Sequence, residues 1–256
     1  MGRPLFENQA MQTTLAPRQN RVTVPKSQTD GPNGLRHWTP DEYHRMANMD
    51  IFDGARVELL GGDIWQVHAS DYYRWTPEQY HRLIEAGFFD DGRVEMLGGL
   101  FWDMTGQMTP HATGIRLATL VLEEAFGEGY EVRPQLPILL PDGAEPEPDV
   151  AVAPGTPLDY AEHHPRAEEL MLALEVSDTS LIKDRGLKLV SYAQAWISEY
   201  WIVNLVNRQL EVYRKPIPSG TYTDFHIYLP GQVVVPLAQP TKAIAISELL
   251  PPMKQL

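Results

Sequence analysis

Between residues 37 and 102 the hydrophobic positions follow a pattern that is written twice. HWTPDEYHRM...FDGARVELLGGDIW at 37–65 is answered by RWTPEQYHRL...FDDGRVEMLGGLFW at 74–102. Trp38 answers Trp75 and Trp65 answers Trp102, an ungapped offset of 37, and about half the aligned positions are identical. Each copy opens with Thr-Pro and an acid, which predicts an N-capped helix with proline in its first turn. Each closes in R-V-E-(L/M)-L-G-G, which predicts a strand running into a tight turn. A solenoid needs roughly three or more such units. Two copies followed by unrelated sequence therefore read as a partial duplication of one helix-plus-hairpin element, the first copy being an accessory layer or a spare.

Beyond residue 103 the pattern changes. TPHATGIRLATLVLEEAFG at 109–127 predicts a helix capped by Thr109, opened by Pro110 and stopped by Gly127. YEVRPQLPILL (130–140) predicts a strand whose prolines suit an edge or an irregular path. DVAVA (149–153) and AEELMLALEV (167–176) are runs of nearly continuous apolar character, as expected of strands covered on both faces. DTSLIKDRGLKLVSYAQAWI (178–197) predicts a helix with Ile182, Gly186, Leu189, Ala193 and Trp196 along one stripe. EYWIVNL (199–205), QLEVYR (209–214) and a pair near 220–236 predict further strands, and SELLPP (247–252) a short closing helix. The order is that of a mixed α/β domain. Residues 1–36, rich in Gln, Asn, Thr and Pro without periodicity, read as a disordered arm. The implied organisation is an arm at 1–36, a partial duplicate at 37–71 and a main domain at 72–256.

Composition narrows the chemistry. With 256 residues, 43% hydrophobic and 21% charged, the chain can build a sizeable core. A formal net charge of −13 argues against a protein that coats nucleic acid, although a local basic patch or a cation-binding site remains compatible with it. Cysteine is absent, which excludes disulfides, thiolate metal sites and cysteine nucleophiles and fits a reducing cytoplasm. No run reaches the roughly 18 apolar residues of a membrane helix, and the N-terminus has no signal-peptide core. Motifs for nucleotide-driven motors, dinucleotide enzymes, α/β-hydrolases and zincins are all missing.

Two acids stand out because of their neighbours. Asp149 opens the apolar run VAVA, and Glu175 follows LMLAL. Acids at strand ends commonly face solvent or cap turns, and Asp149 after Pro148 suits a turn. Glu175 is harder to place, since an ionised carboxylate beside such a run is costly unless paired. If the two strands pair antiparallel, both carboxylates reach the same sheet edge. A hard cation is held by one or two carboxylates plus water and substrate oxygens. Against this, Ser177 and Asp178 could cap the next helix, and Asp184 and Lys188, four apart, could be an ordinary helix ion pair. The tryptophans Trp38, Trp75, Trp196 and Trp201 read as core or interface residues. Arg74, Arg82, Arg116, Lys183 and Arg185 read either as a phosphate-facing patch or as solvated surface.

EPEPDVAVA, followed by LALEVSDTSLIKDRGLKLVSYAQAWISEYWIVNLVNRQLEVYRKP, resembles the Uma-type restriction endonuclease family of prokaryotes, a branch of the PD-(D/E)XK nucleases. The likeness spans about residues 72–256 and includes WTPEQYHRL, GRVEMLGG, His111 and the ELLP ending. It implies a restriction-endonuclease-like core, a mixed sheet flanked by helices, cutting DNA with Mg²⁺ or Mn²⁺. By the resemblance, Asp149 and Glu175 are metal ligands, with the Val176 carbonyl and Glu95 as further candidates. Lys188 matches the motif lysine on the following helix, Asp184 the acid one turn before it, and His111 a histidine of the first core helix. Two departures stand: Ser177 occupies the usual lysine position, and Leu100 follows Gly-Gly where the family often carries a glutamate. The expectation is a cytoplasmic metal-dependent DNA endonuclease, a homodimer or higher. The alternatives are a non-catalytic binding or assembly module on the same fold, and a phosphoesterase acting on another substrate.

Overall fold

A computed structural model describes residues 34–67, 71–90, 92–104 and 108–252. Most of the arm expected at 1–36 lies outside these residues. Its last three do not behave as an arm, because Leu35 bridges to Trp102 and the Arg36 amide donates to Phe101 O at 2.9 Å.

The duplicated element forms twice. Helix α1 (Pro40–Asn48) precedes the hairpin β1 (Val57–Leu60) and β2 (Asp63–Gln66), which the short β3 (Asp71–Tyr72) extends. Helix α2 (Pro77–Glu85) precedes the hairpin β4 (Val94–Leu97) and β5 (Leu100–Asp103). Both helices carry the expected threonine cap, with Thr39 answered by Glu42 and Thr76 by Gln79 in reciprocal capping boxes. Helix α3 (Thr109–Phe126) follows. Thr109 is its first helical residue and Met108 its cap, without a side-chain bond, so the expected threonine cap is displaced by one position. Gly127 ends it at φ 65°.

The centre is a six-stranded sheet in the order β11-β10-β9-β8-β7-β6. Its members are β6 (Tyr130–Pro134), β7 (Val150–Pro154), β8 (Leu172–Ser177), β9 (Glu199–Asn204), β10 (Gln209–Ile217) and β11 (Thr221–Tyr228). β6 is an edge strand and stops at Pro134, not at Leu140, because Gln135 turns to φ 53°. β8 begins five residues later than its apolar run suggested, since Ala167–Glu169 form a 3₁₀ turn. Every pairing is antiparallel except β8 with β9. β12 (Val233–Val234), β13 (Ile244–Ala245) and α6 (Ile246–Leu249) close the fold.

Period-two alternation sends the sheet's side chains into two cores. Val150, Val152, Leu174, Val176 and Trp201 pack under α3 and α6. Ala151, Ala153, Ala173, Tyr200 and Ile202 pack with both helix-hairpin copies and the helix after β8. The expectation of strands covered on both faces is met: every residue of β8 and β9 is buried.

That helix runs as α4 (Leu181–Lys183), a π-helical stretch (Asp184–Lys188) and α5 (Leu189–Gln194). Its inward side keeps only part of the expected apolar stripe, Ala193 being buried. Ile182 and Trp196 are exposed, while Asp184, Lys188 and Tyr192 are buried. The wide turn re-aims successive side chains, a feature that recurs at functional sites. Among the described residues, no helix is long and apolar enough to cross a membrane.

Close packing joins the two halves at Gly114. A Cβ there would lie 2.7 Å from Val176 Cγ1, so α3 rests directly on the end of β8. Gly114→Ala is expected to cost about 1–3 kcal/mol through overpacking, read as a lowered denaturant midpoint at unchanged slope. A midpoint equal to that of the parent chain would contradict this packing.

Candidate active site

β7 and β8 pair antiparallel with Val150 opposite Leu174, which sets Asp149 opposite Glu175 at the same edge of the sheet. β8 is also where pairing changes from antiparallel to parallel. The Val176 amide donates to Asp149 Oδ2 at 2.8 Å, fixing the carboxylate against the neighbouring strand. On its other side Asp149 Oδ1 lies 3.4 Å from His111 Nε2, in the first turn of α3. Burial works against the imidazolium, but Asp149, the charge of Asp184 and the Val176 backbone outweigh it, so the His111 pKa is raised.

Glu175 is buried, and its Oε1 accepts from Tyr192 OH and from Lys188 Nζ, both at 2.9 Å. Lys188 Nζ is also 3.6 Å from Glu95 Oε2, and Lys183 pairs with Glu95 Oε1. One buried ammonium therefore links an acid of the central sheet to an acid of the second hairpin. Burial disfavours the Lys188 ammonium, yet Glu175 and Glu95 hold its pKa well above the usual lysine value. Glu95 is also buried, but Lys188 and Lys183 keep its carboxyl below the ordinary range. Glu175 goes the other way. Burial pushes it well above the usual carboxylate value, Lys188 opposes, and the charges of Asp149 and Asp184 add to the rise.

Asp184 does not pair with Lys188 as a surface helix pair would. Its Oδ2 accepts from Ser177 Oγ and Ser180 Oγ, both at 2.6 Å, and burial raises its pKa against the pull of Lys188 and the two serines. Ser177, at the position of the missing lysine, thus braces the acid on the next helix instead of capping that helix.

A cleft of ≈ 330 Å³ is lined by Glu95, His111, Asp149, Glu175, Asp184 and Lys188. All six side chains singled out in the sequence meet there, and Val176 joins them through its backbone. Sequence reasoning missed two neighbours. Glu147, two residues before Asp149, also lines the cleft; burial raises its pKa against the pull of Arg93, with which it pairs. Tyr192 holds Glu175 and follows Lys188 by four residues, a helical spacing that was available to be read. Four of the five basic residues singled out in the sequence are engaged, while Arg116 is exposed on α3. Arg74 and Arg82 bond Gly98 O and Asp53, Lys183 pairs with Glu95, and Arg185 grips Glu211 with two bonds.

The family model called Uma2, described as "Putative restriction endonuclease", matches residues 77–246, well over half of the chain. The chain belongs to the Uma2 family. A solved structure described as a putative nuclease of the DUF820 family from Anabaena variabilis is similar in fold. It aligns at TM-score 0.53 and 13% identity, over 68% of this chain and 96% of that one. No curated protein matches. The Uma2 match runs from the first turn of α2 to α6 and so contains all of the cleft acids, Lys188 and His111. The first helix-hairpin copy lies outside it.

The raised pKa of Glu175 sets a sign. Below about 4.5, its ordinary value, the residue is neutral folded and unfolded. Above that pH the unfolded chain ionises it more readily than the folded one, so the native state loses stability as pH rises. The stability of Glu175→Gln relative to the parent should therefore grow with pH above about 4.5 and flatten below it, as denaturant melts across pH would show. A difference independent of pH would contradict the geometry.

Proposed function

We propose that this chain is a metal-dependent endonuclease that hydrolyses DNA phosphodiester bonds in the cytoplasm. The observation that carries the reading is the convergence of Asp149, Glu175 and Lys188 on one cleft at the end of β8, in a chain of the Uma2 family.

The donor set fits one hard cation, Mg²⁺ or Mn²⁺. Asp149 and Glu175 sit opposite each other, and Glu175 Oε2 has no hydrogen-bond partner among the described residues. Burial raises the Glu175 pKa and the charges of Asp149 and Asp184 add to the rise, a penalty on the carboxylate that a divalent cation relieves. Among the described residues no three His, Asp or Glu side chains form a ready cluster, so protein ligands would supply only part of the shell. That is the usual arrangement for Mg²⁺, which keeps waters and takes substrate phosphate oxygens. Asp149, Glu175 and the Val176 carbonyl would hold the ion. Glu95 Oε2 is buried without a hydrogen bond and its carboxylate faces two lysines, which suits holding Lys188 rather than the cation.

When bound, such an ion neutralises phosphate charge and makes water a better nucleophile. The chain's own groups do the rest. Lys188, kept charged by Glu175 and Glu95, offers a fixed point charge to a phosphate oxygen or an attacking water. Tyr192 fixes the Glu175 rotamer. His111 Nε2, with its raised pKa, holds a proton beside Asp149 and can pass it to a departing oxygen. The net charge of −13 leaves little to attract DNA except a cation in the cleft. Cutting both strands calls for two such centres, hence a homodimer or higher assembly.

Calorimetric titration of Mg²⁺ and Mn²⁺ into the parent chain and Glu175→Ala, followed by supercoiled plasmid, RNA and a small phosphodiester on the same samples, tests the proposal. Cation binding and plasmid nicking in the parent, both lost in the variant, are expected. No cation uptake at millimolar concentration would overturn the metal, and cleavage of RNA or the small ester alone would overturn the substrate.

A further inference from the structure

The two helix-hairpin copies pack face to face, and their contacts exchange under the 37-residue offset. Leu35 pairs with Trp102, and its counterpart Tyr72 pairs with Trp65. The Arg36 amide donates to Phe101 O at 2.9 Å, and that of Tyr73 to Ile64 O at 2.7 Å. Arg45 donates to Ala86 O at 3.3 Å, and Arg82 to Met49 O at 3.1 Å. Gln79 reaches Ile51 O at 2.8 Å, while on the other side Arg36, paired with Glu42, reaches Phe88 O at 3.3 Å. Trp38 and Phe89 are 6.1 Å apart, Phe52 and Trp75 5.7 Å. Trp38 and Trp75, counterparts of each other, meet at 5.8 Å. A contact of residue i with j, repeated as j with i, defines a two-fold, self-complementary interface.

The acid of the pair has diverged while the interface has not. Glu95 is buried in the cleft, but its counterpart Glu58 is exposed. The first copy has kept the surface that meets the second and has no share in the acidic cluster. The family match begins at residue 77, after the first copy.

We propose that the helix-hairpin element is a self-docking unit. The face of the second copy is a binding site for another element of the same kind, filled within the chain by the first copy. The occupant that would take this place, were the first copy removed, is the second copy of another chain. The duplication thus closes in one chain an interface that the 72–256 region alone would form between two. The proposed assembly of full-length chains therefore uses a different face.

The test uses the full chain with residues 68–71 replaced by a protease site, so that cutting separates residues 1–67 from 72–256. After cutting, the two pieces should stay together at the mass of the uncut protein. Separated in denaturant and refolded, the 72–256 piece should double in mass by light scattering. Adding back the 1–67 piece should return it to a one-to-one complex. A second arm keeps the chain whole: Met46→Lys, buried in the first copy, should unseat that copy and double the mass of the full-length protein in a concentration-dependent way. A 72–256 piece that stays monomeric, or aggregates without responding to the 1–67 piece, would overturn the proposal, as would a Met46→Lys chain of unchanged mass.

Discussion

A single buried ammonium organises this molecule. Lys188 Nζ lies between Glu175 on the central sheet and Glu95 on the second hairpin, and its charge favours the ionised form of both buried acids. Removing one partner of such a cluster leaves an uncompensated charge in a medium of low dielectric. The cluster therefore ties three elements together: β8, the π-helical turn that aims Lys188 inward, and the hairpin that packs across the opposite face. The cleft exists where these meet. Its chemistry and its architecture are the same set of contacts.

The surroundings of Lys188 are tuned for asymmetry. Glu95, held by two lysines, is kept below the ordinary carboxylate range, whereas Glu175, buried and then crowded by Asp149 and Asp184, resists ionisation. Asp184 is braced by two serines and Asp149 by a backbone amide. A protein selected for stability alone would not gather acids around one lysine. Carboxylates left partly uncompensated in a cleft are a standing invitation to a cation.

Much of this was legible in the chain. The flanking apolar runs gave away β7 and β8, and antiparallel pairing was enough to bring Asp149 and Glu175 to one edge. The motif lysine and its acid were visible at four-residue spacing. The direction of the helix was not, because a stripe at regular α-helical steps assumes an unbroken α-helix. The helix is broken by a π-turn and ends before Trp196, which sits at φ 62°, so Ile182 and Trp196 face solvent while Asp184, Lys188 and Tyr192 turn inward. Burial of charged residues runs against the hydrophobic pattern and becomes readable only when their partners are known. Glu95 lies 80 residues from Glu175 in the chain, and no local rule links them. The duplication was plain in sequence, but its meaning was not. Reciprocity is a property of contacts, and it emerged only when each bond could be matched to its counterpart.

A double-mutant cycle between Lys188→Met and Glu175→Gln, measured by chemical denaturation at neutral pH, tests the central claim most directly. If Lys188 exists to compensate buried carboxylates, Lys188→Met alone should cost about 3–5 kcal/mol. It should cost less in the Glu175→Gln background, with a coupling of roughly 1 kcal/mol or more. Strictly additive losses would mean that Glu175 and Lys188 are neighbours without being partners. The account of the cleft as one electrostatic unit would then fail.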